Sequence, residues 1–471
     1  MPEVSGVVRE ALGSAVGTAG LFTDPVDLEP HLVDERGAFR GVSPVLLKPA
    51  STDEVAAAVR ICAEAGVGIV PQGGRTGLCG GTVPVTPGGE VLISLERLRR
   101  IRDLDAQGFT MTCEAGCVLR TLQEAAEHAG RLFPLSLAAE GSCTIGGNLA
   151  TNAGGINVLR YGMARNLTLG LEVVLPDGTV WDDLGALRKD NRGYDLKQMF
   201  IGAEGTLGII TAATMELFPR PRDVDTAFLA VADPATALKL FAVAREVAGD
   251  MIVAFELNDR QALDMVFRHM EGVRDPFPER YRWYVLLELT AGVDGHARAA
   301  GEQILAEALD RGLVLDGVRA ESLAHRAGLW RLRETVTEAQ KHEGRSLKHD
   351  ISVPVIEVPR FIAEATEAVG ARWPGYRVLA FGHVGDGNIH FNVFGPPGDD
   401  GERLFAESDS VEDVVFAIAD RMRGSFSAEH GIGQLKRRAL RQYAPVGSLA
   451  MMQALKRTLD PRGIMNPGKV V

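Results

Sequence analysis

Three glycine clusters in the first 211 residues constrain this chain more than any other feature. The first, PQGGRTGLCGGTVP at residues 71–84, packs five glycines into fourteen residues directly after the apolar stretch VGIVP. A strand that empties into such a loop presents successive backbone N–H groups as a nest for anions, and the absent side chains let a pyrophosphate come close. The second cluster, EGSCTIGGNLATNAGG at 140–155, adds Thr144, Thr151 and Asn152, polar groups suited to fixing a planar heterocycle. The third, AEGTLGIIT at 203–211, offers further backbone contacts. The first loop is neither GxGxxG nor GxxxxGK[ST], so it points away from a nicotinamide or Mg-ATP site.

Composition sets the frame for these loops. At 471 residues with 46% hydrophobic content the chain can bury large cores, enough for two or three domains. Its net charge of −12, with no long basic run, excludes nucleic acid and an anionic membrane surface as expected partners. No apolar run reaches the length of a membrane span, and the start MPEVSGVVREALG lacks the basic and apolar regions of a signal peptide, so the expected location is the cytoplasm. Cys62, Cys79, Cys113, Cys117 and Cys143 have no paired framework and read as reduced thiols.

The pattern predicts an α+β chain. Ser51 to Glu54 reads as a capping box opening a helix to Ala65, with Gly66 as its stop. A strand and helix are expected over 109–129, and a hairpin turning at Asp177-Gly178. PRPRD at 219–223 marks a junction, beyond which glycine thins out. Amphipathic helices near 234–248, 295–312 and 321–343 then alternate with the strands MIVAFEL and WYVLLEL, as in an antiparallel sheet with helices. Helices are expected over 410–423 and 446–459. The expected division is an N-terminal segment 1–40, a cofactor domain 41–220, a substrate and metal domain 221–409, and a mostly helical C-terminal region 410–471 returning to the cofactor.

Residues 382–392, GHVGDGNIHFN, carry the sharpest local prediction. Asp-Gly between β-prone runs signals a two-residue type I′ turn. Centred on Asp386 and Gly387, that turn sets His383 opposite His390, close enough for two imidazoles to share a divalent ion. Asn392 falls on the same face. This stretch alone leaves open whether the histidines bind a metal or hydrogen-bond locally.

The three glycine clusters, in this order and spacing, resemble the FAD-binding half of the vanillyl-alcohol oxidase and p-cresol methylhydroxylase flavoprotein superfamily over residues 40–220. The resemblance implies a two-part FAD-binding domain and assigns FAD contacts to Pro71, Gly73, Gly74, Arg75, Thr76, Gly77, Gly80 and Gly81 in the first loop. It assigns further contacts to Gly141, Ser142, Thr144, Gly146, Gly147, Thr151, Asn152 and Gly154 in the second, then to Glu204, Gly205, Gly208 and Ile210, and to Asn466 near the C-terminus. Some relatives attach FAD through a histidine in the first loop. Residues 71–84 contain none, so noncovalent FAD is expected.

The second half resembles the D-2-hydroxy acid dehydrogenase branch, nearest to members acting on D-2-hydroxyglutarate. LWRLRETVTEAQ, SLKHDISVP, GHVGDGNIHFNV and SAEHGIGQLK carry that likeness. It implies that Arg333, Thr337 and Lys348 hold substrate carboxylate, with Arg333 and Thr337 expected on one helical face at i and i+4. It also implies that His383, His390 and Glu429 bind one divalent ion, zinc first. Asn392 would complete the substrate hydrogen bonds, and His430 is the candidate base for the hydroxyl proton, with hydride passing to flavin N5. The implied partners are a 2-hydroxy acid, an electron-transfer flavoprotein or quinone-linked acceptor, and a second copy in a homodimer. D-lactate, D-malate and glycolate-oxidase-like readings remain alternatives, as does a metal-dependent hydrolase from another class.

Overall fold

The computed structural model describes residues 2–471, and the chain divides into two compact units. The first gathers the residues through Gly155 with Gly162–Arg220 and Glu429–Val471; the second holds Ile156–Tyr161 and Pro221–Ala428. The chain thus passes between units inside PRPRD. The helical C-terminal region expected over 410–471 is split, because Ser408–Arg421 packs against helix Val358–Arg372 of the second unit, and the first unit resumes only at Glu429.

In the first unit, Ser51 caps helix Thr52–Ala65 through its Oγ, which accepts the Glu54 N–H at 3.2 Å. The Glu54 carboxylate reaches back to the Ala50 N–H at 2.7 Å, one residue beyond the usual capping-box partner. Gly66 stops the helix in the left-handed region at φ 67°. The buried face of this helix, Val55, Val59 and Cys62, packs on Leu12 and Val16 of helix Gly6–Val16 and on Ile69, Val91 and Ile93. Those last residues belong to strands Gly68–Gln72 and Glu90–Ser94, which pair in parallel within a four-stranded sheet. Fully burying each such side chain is worth about 1.5–3 kcal/mol, which fixes the strand that delivers the first glycine loop. A second, five-stranded antiparallel sheet runs in the order Ile101–Asp105, Thr110–Glu114, Ile209–Glu216, Thr168–Val174, Val180–Asp183.

The second unit is built on a seven-stranded sheet, antiparallel throughout. Its order is Asp316–Arg319, Asp223–Val231, Trp283–Ala291, Ile252–Asp259, Arg377–Gly382, Asn388–Phe394, Ser346–Ser352. Strands Trp283–Ala291 and Ile252–Asp259 are buried at every position, so each charged side chain they carry needs a partner. Glu288 finds three: it accepts from the Thr226 hydroxyl at 2.7 Å, from Arg326 at 2.6 and 2.7 Å, and from the Trp330 indole N–H at 2.6 Å. This anchors helix Leu323–Glu334 on the sheet. The single helix expected over 321–343 is interrupted at Thr335 and resumes as Val336–Lys341.

Candidate active site

Two places carry the residues that the sequence marks. In the first unit a cleft of about 790 Å³, counting its open mouth, is walled by the glycine loops. Of the expected FAD residues, Pro71, Gly73, Gly77, Gly81, Gly146, Gly147, Thr151, Glu204, Gly205, Gly208, Ile210 and Asn466 line it. His430 lines it too, and so do Cys79, Leu95 and Phe200, which were not among the expected contacts.

The remaining expected FAD residues lie outside this wall, where several serve the loops themselves. A Cβ on Gly74 would collide with the Ser142 carbonyl oxygen, so Gly74 lets the first and second clusters touch. Arg75, at φ 58°, places its guanidinium 3.2 Å from His31 Nδ1. His31 is buried and also meets the Gln72 side chain at 2.7 Å; burial pushes its pKa down. Asn152, at φ 49°, accepts the Arg165 N–H at 3.0 Å. Gly141 and Ser142 are exposed, whereas Gly154 is buried. Thr76 is half-buried, and Gly80 packs on the Phe39 ring.

Glu204, in the cleft wall, also braces a neighbouring loop. Its oxygens accept the N–H groups of Ile432 at 2.7 Å and Gly433 at 2.9 Å, so the carboxylate is spent on fixing the loop that carries His430. Burial raises its pKa against those two bonds. The Asn466 amide donates to the carbonyls of Gly81 and Glu204 at 3.1 and 2.7 Å, closing the cleft floor.

These features fit a dinucleotide cofactor. Asn466 Oδ1, in the wall, is a buried polar atom with no hydrogen-bond partner, as is Thr144 Oγ1 beside Gly73, and the glycines of the wall leave its backbone open. Among the described residues, no helix is long and apolar enough to cross a membrane, and all five cysteines are buried free thiols.

The second place is a face of the antiparallel sheet. Strands Ser346–Ser352 and Asn388–Phe394 pair so that Lys348 stands opposite Asn392 and Asp350 opposite His390. Alternation puts all four side chains on one face. The hairpin register differs from the expected one: His390 is opposite Phe381, two positions from His383. A two-residue turn is replaced by a five-residue loop, 383–387, in which Gly387 has φ 86° while Asp386 stays out of the left-handed region. Pairing on both flanks decides this. Leu257 is opposite Gly382, and the Val353 N–H is held by the Gly387 carbonyl at 3.1 Å, leaving the turn to adapt. A shift of two keeps the face unchanged, and the His383 and His390 rings still meet edge to face, centroids 5.5 Å apart, with ligand nitrogens within 4.8 Å.

Each histidine has a carboxylate beside it. His383 Nδ1 lies 2.6 Å from Glu256 Oε1, and His390 Nδ1 lies 3.7 Å from Asp350. Glu256 also accepts the Arg333 Nε–H at 2.7 Å. Burial raises the Glu256 pKa, but His383 and Arg333 outweigh it and hold the group down at about 2. In the loop, burial lifts Asp386 to about 6.

Glu256 was not singled out in the sequence, although one carboxylate inside the apolar run IVAFEL is a usable signal, since a buried charge requires partners. Arg333 and Thr337 do not share a face: Arg333 is buried, Thr337 exposed, and the interruption at Thr335 lies between them. Gln340 takes the inward position instead, and its Oε1 accepts from Asn392 Nδ2 at 2.7 Å. Glu429 opens the last segment of the first unit, immediately after Ala428, whose N–H is held by the Asp350 carbonyl at 3.1 Å.

Residues 43–183 match the family model described as FAD binding domain, and residues 220–470 the one described as FAD linked oxidases, C-terminal domain. Solved structures share the fold. p-Cresol methylhydroxylase with substrate bound superposes with a TM-score of 0.79 at 16% identity, over 98% of this chain and 96% of that one. Alkyldihydroxyacetonephosphate synthase gives 0.76 at 18%, over 99% and 85%. The fold is therefore of the p-cresol methylhydroxylase type, and the family models mark the class as an FAD-linked oxidase. A mitochondrial D-2-hydroxyglutarate dehydrogenase of Bos taurus is 41% identical over 96% of this chain and 81% of its own length. The D-2-hydroxyglutarate dehydrogenase of Xanthomonas citri pv. viticola is 39% identical over 98% and 96%. A D-2-hydroxyglutarate–pyruvate transhydrogenase of Saccharomyces cerevisiae is 34% identical over 95% and 90%. The chain belongs to the FAD-linked oxidase family, among its D-2-hydroxyglutarate dehydrogenases.

Proposed function

We propose that this enzyme oxidises D-2-hydroxyglutarate to the 2-keto acid, using noncovalent FAD and one divalent ion, zinc first. The observation that carries the reading is the sheet face on which Lys348, Asn392 and His390 stand side by side with His383 at its edge. It combines a cation and an amide for a substrate carboxylate with two imidazoles for a metal. Two histidine nitrogens within 4.8 Å suit a common ion, whose Zn–N bonds are about 2.0–2.1 Å long. Glu429 is the proposed third ligand, because the backbone one residue before it is pinned to Asp350, directly across the ladder from His390.

Bound FAD supplies the two-electron acceptor for the hydrogen leaving C2, and a divalent ion supplies Lewis acidity to the hydroxyl. The chain's own residues do the rest. Lys348 neutralises carboxylate charge, and Arg333 turns its terminal N–H groups to the same task, since its Nε–H is already held by Glu256. Asn392, with one amide donor spent on Gln340, is fixed in orientation for a substrate hydrogen bond. His430 takes the hydroxyl proton, its loop steadied by Glu204. An electron-transfer flavoprotein or a quinone-linked acceptor would be the partner that takes the electrons onward.

A panel of D- and L-2-hydroxy acids with an artificial dye acceptor tests the proposal. Turnover should be highest with D-2-hydroxyglutarate, lower with D-malate and D-lactate, and absent with L isomers. Equal kcat/KM for D-lactate and D-2-hydroxyglutarate would remove the dicarboxylate assignment.

A further inference from the structure

Glu256 rises from strand Ile252–Asp259 at 1% exposure and has both oxygens engaged, one toward His383 and one toward Arg333. These two neighbours come from different elements, the 383–387 loop and helix Leu323–Glu334. The two contacts are short, 2.6 Å from His383 Nδ1 to Oε1 and 2.7 Å from Arg333 Nε to Oε2.

We infer that Glu256 is the positioning residue that holds a metal ligand and a substrate-binding arginine in one register, and thereby couples metal loading to carboxylate binding. The inference rests on the reading that His383 binds a divalent ion. An ionised carboxylate only accepts hydrogen bonds, so a neutral His383 keeps its proton on Nδ1 and turns the Nε2 lone pair outward. A histidine ligand held this way is both oriented and more basic. On the other side, the bond to Nε fixes the guanidinium, whose Cζ also lies 5.0 Å from the centroid of the Phe381 ring, and does not use the two terminal amino groups. Phe381 is in turn the residue opposite His390. A shift of the arginine toward a bound carboxylate therefore alters the charge felt by His383, and the reverse holds by linkage.

The test uses the FAD-loaded protein stripped of metal and titrated with Zn²⁺ against a chromophoric chelator, with and without 2-ketoglutarate. Wild-type protein should bind zinc, and more tightly when the keto acid is present. Glu256→Gln should weaken zinc by about 10–100-fold and abolish the effect of the keto acid, while the flavin spectrum stays unchanged. Wild-type affinity and wild-type coupling in this variant would overturn the inference and leave the metal reading standing. A wild-type protein that binds no zinc would instead remove the metal reading itself. Should Glu256→Gln lose its cooperative melt, Arg333→Gln gives the same readout without keto acid. Freed of its cation, Glu256 should make zinc bind at least about threefold more tightly, and an unchanged affinity overturns the inference.

Discussion

The glycine cleft of the first unit and the histidine face of the second solve opposite problems. The cleft works by omission: Gly73, Gly146, Gly147 and Gly205 expose backbone, and the few side chains there, such as Glu204 and Asn466, bind other loops to hold the walls in place. The sheet face works by presentation, since Lys348, His390 and Asn392 project from paired strands, with the buried Asp350 beside His390 and the Gln340 amide holding Asn392. A site of the first kind tolerates changes in side-chain chemistry and fails when volume is added. A site of the second kind tolerates volume changes at its edge and fails when one functional group is lost.

The largest expected effect falls on the second unit. His390→Ala should lower kcat/KM about 10³-fold, the rate equivalent of the several kcal/mol that a Lewis acid supplies, with the flavin absorbance unaltered. Loss of flavin from this variant would show that the two regions are not separable. Lys469, near the end of the first unit, comes next. Its Nζ is buried with no hydrogen-bond partner, and burial holds its pKa at about 8. A depressed lysine is destabilising while it is charged, so stability rises with pH between about 8 and the unfolded value of 10.5. Lys469→Met should therefore stabilise the protein by up to about 3 kcal/mol at pH 7, and the gain should vanish near pH 10.5 in thermal melts.

Smaller effects separate the regions further. Lys348→Met should raise the substrate KM about 10–100-fold, the worth of a charge-assisted hydrogen bond, with FAD content unchanged. An unaltered KM for every 2-hydroxy acid would take Lys348 out of the substrate site. Gly74→Val should cost about 1–3 kcal/mol through its collision with the Ser142 carbonyl, and should show as a reduced flavin-to-protein absorbance ratio. Full flavin occupancy in that variant would mean that the first two clusters need not touch.

Much of the cleft was legible in the sequence because its walls are contiguous strings. A run such as PQGGRTGLCGG declares its missing side chains wherever it is placed, and twelve of the residues expected to touch FAD stand in the wall. The carboxylate of Glu204 was not legible, since its partners Ile432 and Gly433 are more than 200 residues away. In the second unit the residue types were read from the motifs, yet their supports were missed. Glu256 carries no local pattern beyond a charge in an apolar strand, and Gln340 sits inward only because the helix is interrupted at Thr335.

GHVGDGNIH shows the division at its smallest. Its residues determined that two histidines and an Asp-Gly pair would sit at a hairpin end, and alternation determined that His390 and Asn392 would share a face. The register was decided by neighbouring strands. Leu257 opposite Gly382 and Ile351 opposite Ile389 lock both edges, and a five-residue loop costs less than moving every buried side chain of two strands to new partners. Local chemistry can specify a turn and a periodicity, but only long-range pairing ranks the registers that satisfy both.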